Sequence, residues 1–407
     1  MRIVPILLSG SFVASCGESS VTISGTIVDD AEMPVVGATV RVGDKTDVTS
    51  VDGRFGIRGV DLPYDVAVVT ADRTKGTRFA GIDSKEPRLR AFEHVAPTPR
   101  RARVHFRWDP PLGPDEDAHP LVLLADTEST LLGQVATRDG GAYDVDVRYA
   151  GGERLRLWAF ALRYEVDPTT RKVARYVAHQ WRPVDVVEGG TTEWTGLGYV
   201  APGTSTVTVE ASLPEGFAVQ ETRLRYRPAA PIQDVPVFLV EKGARSSATF
   251  PVPSFEGLRF DVEVLASGPN GSTSIASKRF VDAGTTVKLD LFGGPSPTSP
   301  NEGGRASVQD TRFECIDAGS GHFVVTLRPN AEEFRNVLPT FRVVAKNCRA
   351  DFSPLASDLV GVPEGAAYDF VAGRSSVAYE DAVKRDAAYP AELRTSVGAT
   401  RALVLRP

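Results

Sequence analysis

The sequence predicts an all-β protein: serial β-sandwich modules of prealbumin-like or immunoglobulin-like type, with a minor α+β region at the carboxyl end. Three observations carry this expectation. Segments that alternate apolar with polar residues, the period of a half-buried strand, recur along nearly the whole chain. Gly and Pro, 37 and 29 of the 407 residues, punctuate those segments at turn positions. Long apolar runs with the 3.6-residue period of an amphipathic helix are almost absent. The charged fraction of 24% and hydrophobic fraction of 42% are those of a globular protein, which excludes collagen, coiled coil and a multi-span membrane protein.

The chain opens with Met1-Arg2, followed by Ile3-Val4-Pro5-Ile6-Leu7-Leu8-Ser9-Gly10-Ser11-Phe12-Val13, with the small residues Ala14 and Ser15 just before Cys16. One positive charge, a short apolar run and a small-residue boundary predict an export signal over residues 1–15. The run falls well short of the roughly 20 apolar residues that span a bilayer. Its end, Val13-Ala14-Ser15-Cys16, resembles the lipobox of bacterial lipoproteins. That resemblance implies cleavage before Cys16, acylation of its thiol and a lipid anchor in the membrane. Val13 and Ser15 depart from the commoner residues of that motif. Gly17, where an Asp would favour the inner membrane, points to the outer membrane. A signal without lipid, or a buried first strand, also fits these residues.

With Cys16 assigned to lipid, Cys315 and Cys348 form an even remainder, and an oxidising compartment predicts one disulfide between them. A loop of about 34 residues would gain at most about 4 kcal/mol from that closure. Two separate buried thiols are the alternative. A zinc site would need ligands beyond the nearby His322.

Residues 16–95 read as the first sandwich. Val21, Ile23 and Gly25 alternate with Thr22 and Ser24; Val40 and Val42 flank Arg41; Phe55 and Ile57 alternate with Arg54 and Arg58; Val66 and Val68 follow Tyr64. Turns are expected at Glu32-Met33-Pro34, Gly43-Asp44 and Asp52-Gly53. The run Ser24-Gly25-Thr26-Ile27-Val28-Asp29, then Pro34 to Val42, then Thr49 to Phe55 and Tyr64 to Val68, resembles the carboxypeptidase regulatory-like domain, a prealbumin-type sandwich. Glu32 stands where that family usually has a turn Gly, and Leu62-Pro63 replaces the Gly before the Tyr. The resemblance implies a fold and an extracellular setting, and no catalysis. None of His94, His105, His119, His179 or His322 is followed by Glu three residues on, as a zinc carboxypeptidase would need.

Residues 96–200 and 201–292 are two further sandwiches. The second module contains Arg101-Ala102-Arg103-Val104-His105-Phe106-Arg107-Trp108, a strand with one apolar and one cationic face. Arg101, Arg103 and Arg107 are candidate ligand-binding residues for an anionic polymer or headgroup. The alternative is an edge or surface strand whose charges discourage pairing. Asp115-Glu116-Asp117 and His119 match no calcium-loop spacing and read as a solvated acidic turn, so no metal is expected. A short internal repeat links the two modules: Leu155-Arg156-Leu157, Val184-Asp185 and Gly190-Thr191-Thr192 recur as Leu258-Arg259-Phe260, Val281-Asp282 and Gly284-Thr285-Thr286. In the later copy, Arg223, Arg225 and Arg227 share a face.

Residues 293–304, rich in Gly, Pro and Ser, read as a linker, and 305–407 as a β-rich terminal domain. Its best helix spans Ser376 to Ala388, with Ser376 as the cap, and a helical turn is expected after Asn330. No Gly-x-Ser-x-Gly elbow, phosphate loop or dinucleotide fingerprint occurs, so neither an enzyme nor a cofactor is expected. The net charge of −6 argues against nucleic acid. Among the aromatics of the second module, Trp158 and Trp194 read as core, while Trp181 is the residue best placed to stack on a sugar. The expected role is structural, adhesive or binding at the envelope, through protein or glycan contacts. A carbohydrate-binding surface protein and a glycan-active enzyme with accessory sandwiches are the alternatives.

Overall fold

The computed structural model describes residues 20–406, apart from residues 31, 94–99, 125–130, 140–141, 150–153, 171–172, 197–200, 229–236, 243–244, 300–302, 310–311, 317–320, 332–333, 335–336 and 384–391. It is an all-β protein of serial sandwiches. Among the described residues no helix is long and apolar enough to cross a membrane.

The first module holds β1 (Val21–Asp29), β2 (Thr39–Val42), β3 (Lys45–Val48), β4 (Arg54–Val60), β5 (Tyr64–Val69), β6 (Lys75–Ile82) and β7 (Arg88–Phe92). One sheet is ordered β4-β1-β7; the other runs β3-β2-β5-β6. Alternation places Ile23, Val40, Phe55, Ile57, Val66 and Val68 in the core between them. Two glycines are sterically required here. Gly53 sits at φ 69°, and a Cβ on it would lie 2.4 Å from the carbonyl oxygen of Ile27. A Cβ on Gly25 would meet the Phe55 ring at 2.5 Å. Glu32 takes the left-handed conformation at φ 64° without being Gly. Its carboxylate is fastened to β7, accepting from Arg88 Nη2 at 2.8 Å and from Arg90 Nε. The seam between β3 and β4 is bridged by side chains. Asp47 accepts from the N–H of Val48 at 2.8 Å and of Gly56 at 2.6 Å, and Lys45 donates to the carbonyl of Gly59. Such charged bridges close an edge that would otherwise offer free backbone groups.

The second module holds β8 (Arg100–Trp108), β9 (Glu116–Leu124), β10 (Leu131–Asp139), β11 (Ala142–Tyr149), β12 (Arg154–Val166), β13 (Val173–Val187) and β14 (Thr191–Gly196). The third holds β15 (Gly203–Ser212), β16 (Ala218–Pro228), β17 (Val237–Lys242), β18 (Ser247–Ser254), β19 (Leu258–Ser267), β20 (Thr273–Val281) and β21 (Thr286–Asp290). The third module repeats the plan of the first: fourth, first and seventh strands in one sheet, and third, second, fifth and sixth in the other. The second differs in one strand, since β10 joins β11 in the sheet β10-β11-β8-β14 and leaves β13-β12-β9 opposite. The sequence repeat occupies matching places. Arg156 of β12 pairs with Asp185 at 3.2 Å, and Arg259 of β19 with Asp282 at 3.3 Å. The long hairpin β12–β13 reaches into the third module, where Tyr176 Oη donates to the carbonyl of Pro251 at 2.8 Å and lies 3.2 Å from Tyr226 Oη.

The last region holds β22 (Ser296–Ser299), β23 (Arg305–Ser307), β24 (Arg312–Ile316), β25 (His322–Pro329), β26 (Thr340–Ala345), β27 (Arg349–Asp351), β28 (Ala366–Ser375), β29 (Glu392–Val397) and β30 (Arg401–Arg406). Two short helices, α1 (Ser353–Ala356) and α2 (Tyr379–Ala382), accompany them. Three details differ from the sequence reading. Ser296–Ser299, inside the expected linker, are a strand paired with β24, because Pro at an edge costs no ladder bond. The helix starts at Tyr379, and Ser376 does not cap it: its Oγ accepts from the N–H of Arg394. The helix ends at Ala382, and residues 384–388 of the expected helix lie outside the described residues. α1 leaves no mark in the sequence, since four residues carry no periodic signal.

The first and last regions are built into each other. β26 pairs in parallel with β6, from Thr340 opposite Lys75 to Val344 opposite Phe79. One sheet therefore runs β17-β16-β19-β20-β29-β28-β25-β26-β6-β5-β2-β3. Val344, Tyr379 and Val383 complete the core of the first module, while Ala67 and Val69 belong to the core of the last.

Candidate functional site

The strand carrying Arg101, Arg103 and Arg107 is β8, and it lies inside its sheet, with β11 on one side and β14 on the other. It is thus no edge strand, and its charges guard no free backbone. Ala102, Val104, Phe106 and Trp108 face inward and are buried. Phe106 lies tilted against Trp194, ring centres 4.4 Å apart, and meets Trp108 edge-on at 5.4 Å. Trp194 is wholly buried, as a core residue.

The outward face is a mixed-charge surface. Register sets Asp146 opposite Arg103 and Asp144 opposite His105. Arg103 Nε donates to Asp146 at 3.0 Å, which holds the guanidinium above the ordinary arginine range, and His105 Nδ1 lies 2.8 Å from Asp144. Thr191, Glu193 and Thr195 flank the strand on its other side. Arg101 and Arg107 are exposed and make no ion pair among the described residues. The acidic partners were visible in sequence as Asp144-Val145-Asp146, but only the register brings them to the arginines.

The acidic loop is structural. Glu116 accepts from Arg163, which also donates to the carbonyls of Pro110 at 2.9 Å and Pro111 at 3.1 Å. Burial pushes the Glu116 carboxyl up, but the hydrogen bonds from Arg163 and from the Gly113 N–H outweigh it and hold the group below its ordinary value. Asp117 accepts from Tyr143 Oη at 2.6 Å. Among the described residues no group of three or more His, Cys, Asp or Glu side chains is placed to hold a metal.

Of the three arginines on β16, Arg223 pairs with Glu221 at 2.7 Å and Glu263 at 3.0 Å, Arg225 with Glu263 at 3.6 Å, and Arg227 with Asp261. They form a compensated network within the sheet. Cys16 and the side chains of Cys315 and Trp181 lie outside the described residues. Cys348 is buried.

Two features at the junction of first and last regions escaped the sequence reading. A cleft of about 190 Å³ is lined by Arg41, Gly43, Asp65, Ala67, Arg78 and Pro354. Both its arginines are engaged: Arg41 with Asp358 at 2.5 Å and Arg78 with Asp65 at 2.5 Å. Beside it, Arg73 Nε donates to the carbonyl of Asp358 at 2.6 Å. His322 is held below its ordinary pKa, chiefly by burial, with Arg342 adding to the effect and the carbonyl of Val377 opposing it. Burial also lowers Arg342, against the opposing charges of Glu93 and Asp30 in the first module.

The chain matches no protein-family model and no curated protein. Among solved structures it is similar to the Bacillus anthracis TIE protein at 9% identity, over 67% of this chain and 50% of that one, with a TM-score of 0.16. The match therefore spans half the length of that protein. BcpA, the major pilin subunit of Bacillus cereus, is similar at 9% identity over 67% of this chain and 98% of its own, with a TM-score of 0.14. Likeness at this level carries no functional argument; the fold rests on the strands themselves.

Proposed function

We propose that this protein is an exported envelope lipoprotein, tethered through Cys16, whose sandwich modules have a structural or adhesive role toward envelope protein or glycan. The observation that carries the reading is repetition. One seven-strand plan is used, with one strand moved in the second copy, for three modules in series. Its charged outer faces are paired across strands, as on β8 and β11. The lipobox resemblance at Val13 to Cys16 supports the tether, and Gly17 supports the outer membrane. The proposed role is non-catalytic.

The proposal includes a disulfide between Cys315 and Cys348. Its support is the antiparallel pairing of Glu314 with Arg349, which brings the next positions, 315 and 348, opposite each other. Metabolic labelling with palmitate tests the tether: the full chain is expected to take up label, and Cys16→Ala to lose it. An intact, unlabelled, soluble full chain would overturn the reading. A glycan array separates the partners, with sugar binding that Trp181→Ala abolishes favouring glycan over protein.

A further inference from the structure

In each of the three sandwich modules the strand by which the chain enters is paired in parallel with the strand by which it leaves. In the first module, β1 pairs with β7, from Thr26 opposite Arg88 to Asp29 opposite Phe92. In the second, β8 pairs with β14, from Arg103 opposite Thr191 to Trp108 opposite Gly196. In the third, β15 pairs with β21, from Thr208 opposite Thr286 to Ser212 opposite Asp290. In the last region it is the second strand, β23, that lies parallel to the final strand, β30, from Arg305 opposite Val404 to Ser307 opposite Arg406.

The direction of these pairs decides how the modules meet a pull along the chain. Tension draws the entering strand toward its own amino end and the leaving strand toward its carboxyl end. For parallel neighbours those two pulls are opposed along the strand axis. The interstrand hydrogen bonds lie across that axis, so all of them are strained together and the ladder opens only when they fail together. Had the two strands been antiparallel, both pulls would act at one end and the bonds would break one after another.

Further contacts extend each ladder. In the first module the N–H groups of Ser24 and Thr26 donate to the carbonyls of Lys85 and Pro87, each at 2.9 Å. Arg88 and Arg90 of β7 hold Glu32 in the turn that follows β1. In the second, Arg103 N–H donates to Gly190 at 2.9 Å and Gly189 N–H to Arg101 at 2.7 Å. In the third, Gly284 N–H donates to Thr206 at 2.8 Å and Leu291 N–H to Ser212 at 2.9 Å. The parallel pairing of β26 with β6 adds a clasp between the first and last regions.

We infer that the protein bears tension: its modules are closed by shear clamps that keep them folded when the chain is pulled between an anchor and a bound partner. The inference deepens the tethered, structural reading and rests on it for its biological setting, while the clamp itself is a property of the strands alone. Forced opening is governed by the unfolding rate under load, so the pulling direction, and not overall stability, is the variable to test.

The experiment is single-molecule force spectroscopy on the full chain, with handles at exposed positions introduced by a bio-orthogonal residue. Handles at Gly203 and Asp290 load β15 and β21 from opposite ends. Handles at Ser212 and Asp290 load the same two strands from one end. Each geometry releases about 80–90 residues, or roughly 300 Å of chain, which identifies the module that opens. The opposed geometry is expected to open at two-fold or greater force than the one-ended geometry. Equal forces, or a lower force in the opposed geometry, would overturn the inference. The second module supplies an independent comparison, with Arg101 and Glu193 against Arg107 and Glu193, and the same inequality is required there. Loss of palmitate labelling would remove the anchor and leave this ratio intact; a ratio of one would remove the clamp and leave the anchor intact.

Discussion

Two adjacent valines of β26 test how the first and last regions are joined. Val343 and Val344 point to opposite faces of the shared sheet. Val343 is 0% exposed and packs in the core of the last region; Val344 is 4% exposed and packs in the core of the first module. Replacing either with Ala removes two buried methyl groups, worth about 1.6 kcal/mol at about 0.8 kcal/mol per carbon. A residual cavity of roughly 50 Å³ adds up to about 1 kcal/mol. Each variant is thus expected to lose about 2–3 kcal/mol, and the two losses should fall in different places. Hydrogen exchange followed by mass spectrometry reads the location. Val344→Ala should speed exchange in β1, around Ile27 and Val28, by about 30- to 140-fold, since 1.4 kcal/mol is a factor of ten. It should do so although Val344 lies more than 300 residues along the chain from β1. Val343→Ala should speed exchange instead around Ala350 to Leu355. The reasoning is refuted if Val344→Ala loosens only the last region and leaves β1 protected.

Three further outcomes are expected. Reduction, or Cys348→Ser, should lower unfolding stability by up to about 4 kcal/mol, measured by denaturant titration, and peptide mapping without reductant should recover Cys315 joined to Cys348. Burial depresses the His322 pKa in the folded state, so the unfolded chain binds the proton first as pH falls. Stability should be full above about pH 6.5 and decline below it, by at most about 1.4 kcal/mol per pH unit from this group; His322→Gln should remove that slope in thermal melts, and an unchanged slope would refute the assignment. The double substitution Asp144→Asn and Asp146→Asn uncovers the cations of β8, so the variant should elute from a heparin column at higher salt than the unaltered chain; identical elution would refute the view that cross-strand pairing masks the face.

Much of the fold is legible in the sequence, because a half-buried strand carries its own signature. Ala102 to Trp108 alternate as read, with the apolar residues buried and the arginines outside. The repeat was legible too, since Arg156 with Asp185 and Arg259 with Asp282 form the same ion pair in two modules. What escaped is long-range pairing. Nothing local to β26 says that its neighbour is β6, far away in sequence, and nothing local to β8 says that it lies inside a sheet. Short elements escaped for a different reason: α1 owes its helix to packing, with Leu355 buried against the shared sheet, and no window of its own sequence is long enough to announce it. The candidate face followed the same division. Its arginines were found from the period of one strand, and its acidic partners only from the register of two.

The tether is the claim on which the functional account turns, and partitioning of the full chain tests it most directly. Expressed in a Gram-negative host, the unaltered protein should stay in the envelope fraction through high-salt and carbonate washes and leave it only with detergent, while Cys16→Ala should appear in the soluble fraction. If the unaltered chain and the variant partition alike, Cys16 does not anchor the protein, and the account of these modules as a tethered structural arm is contradicted.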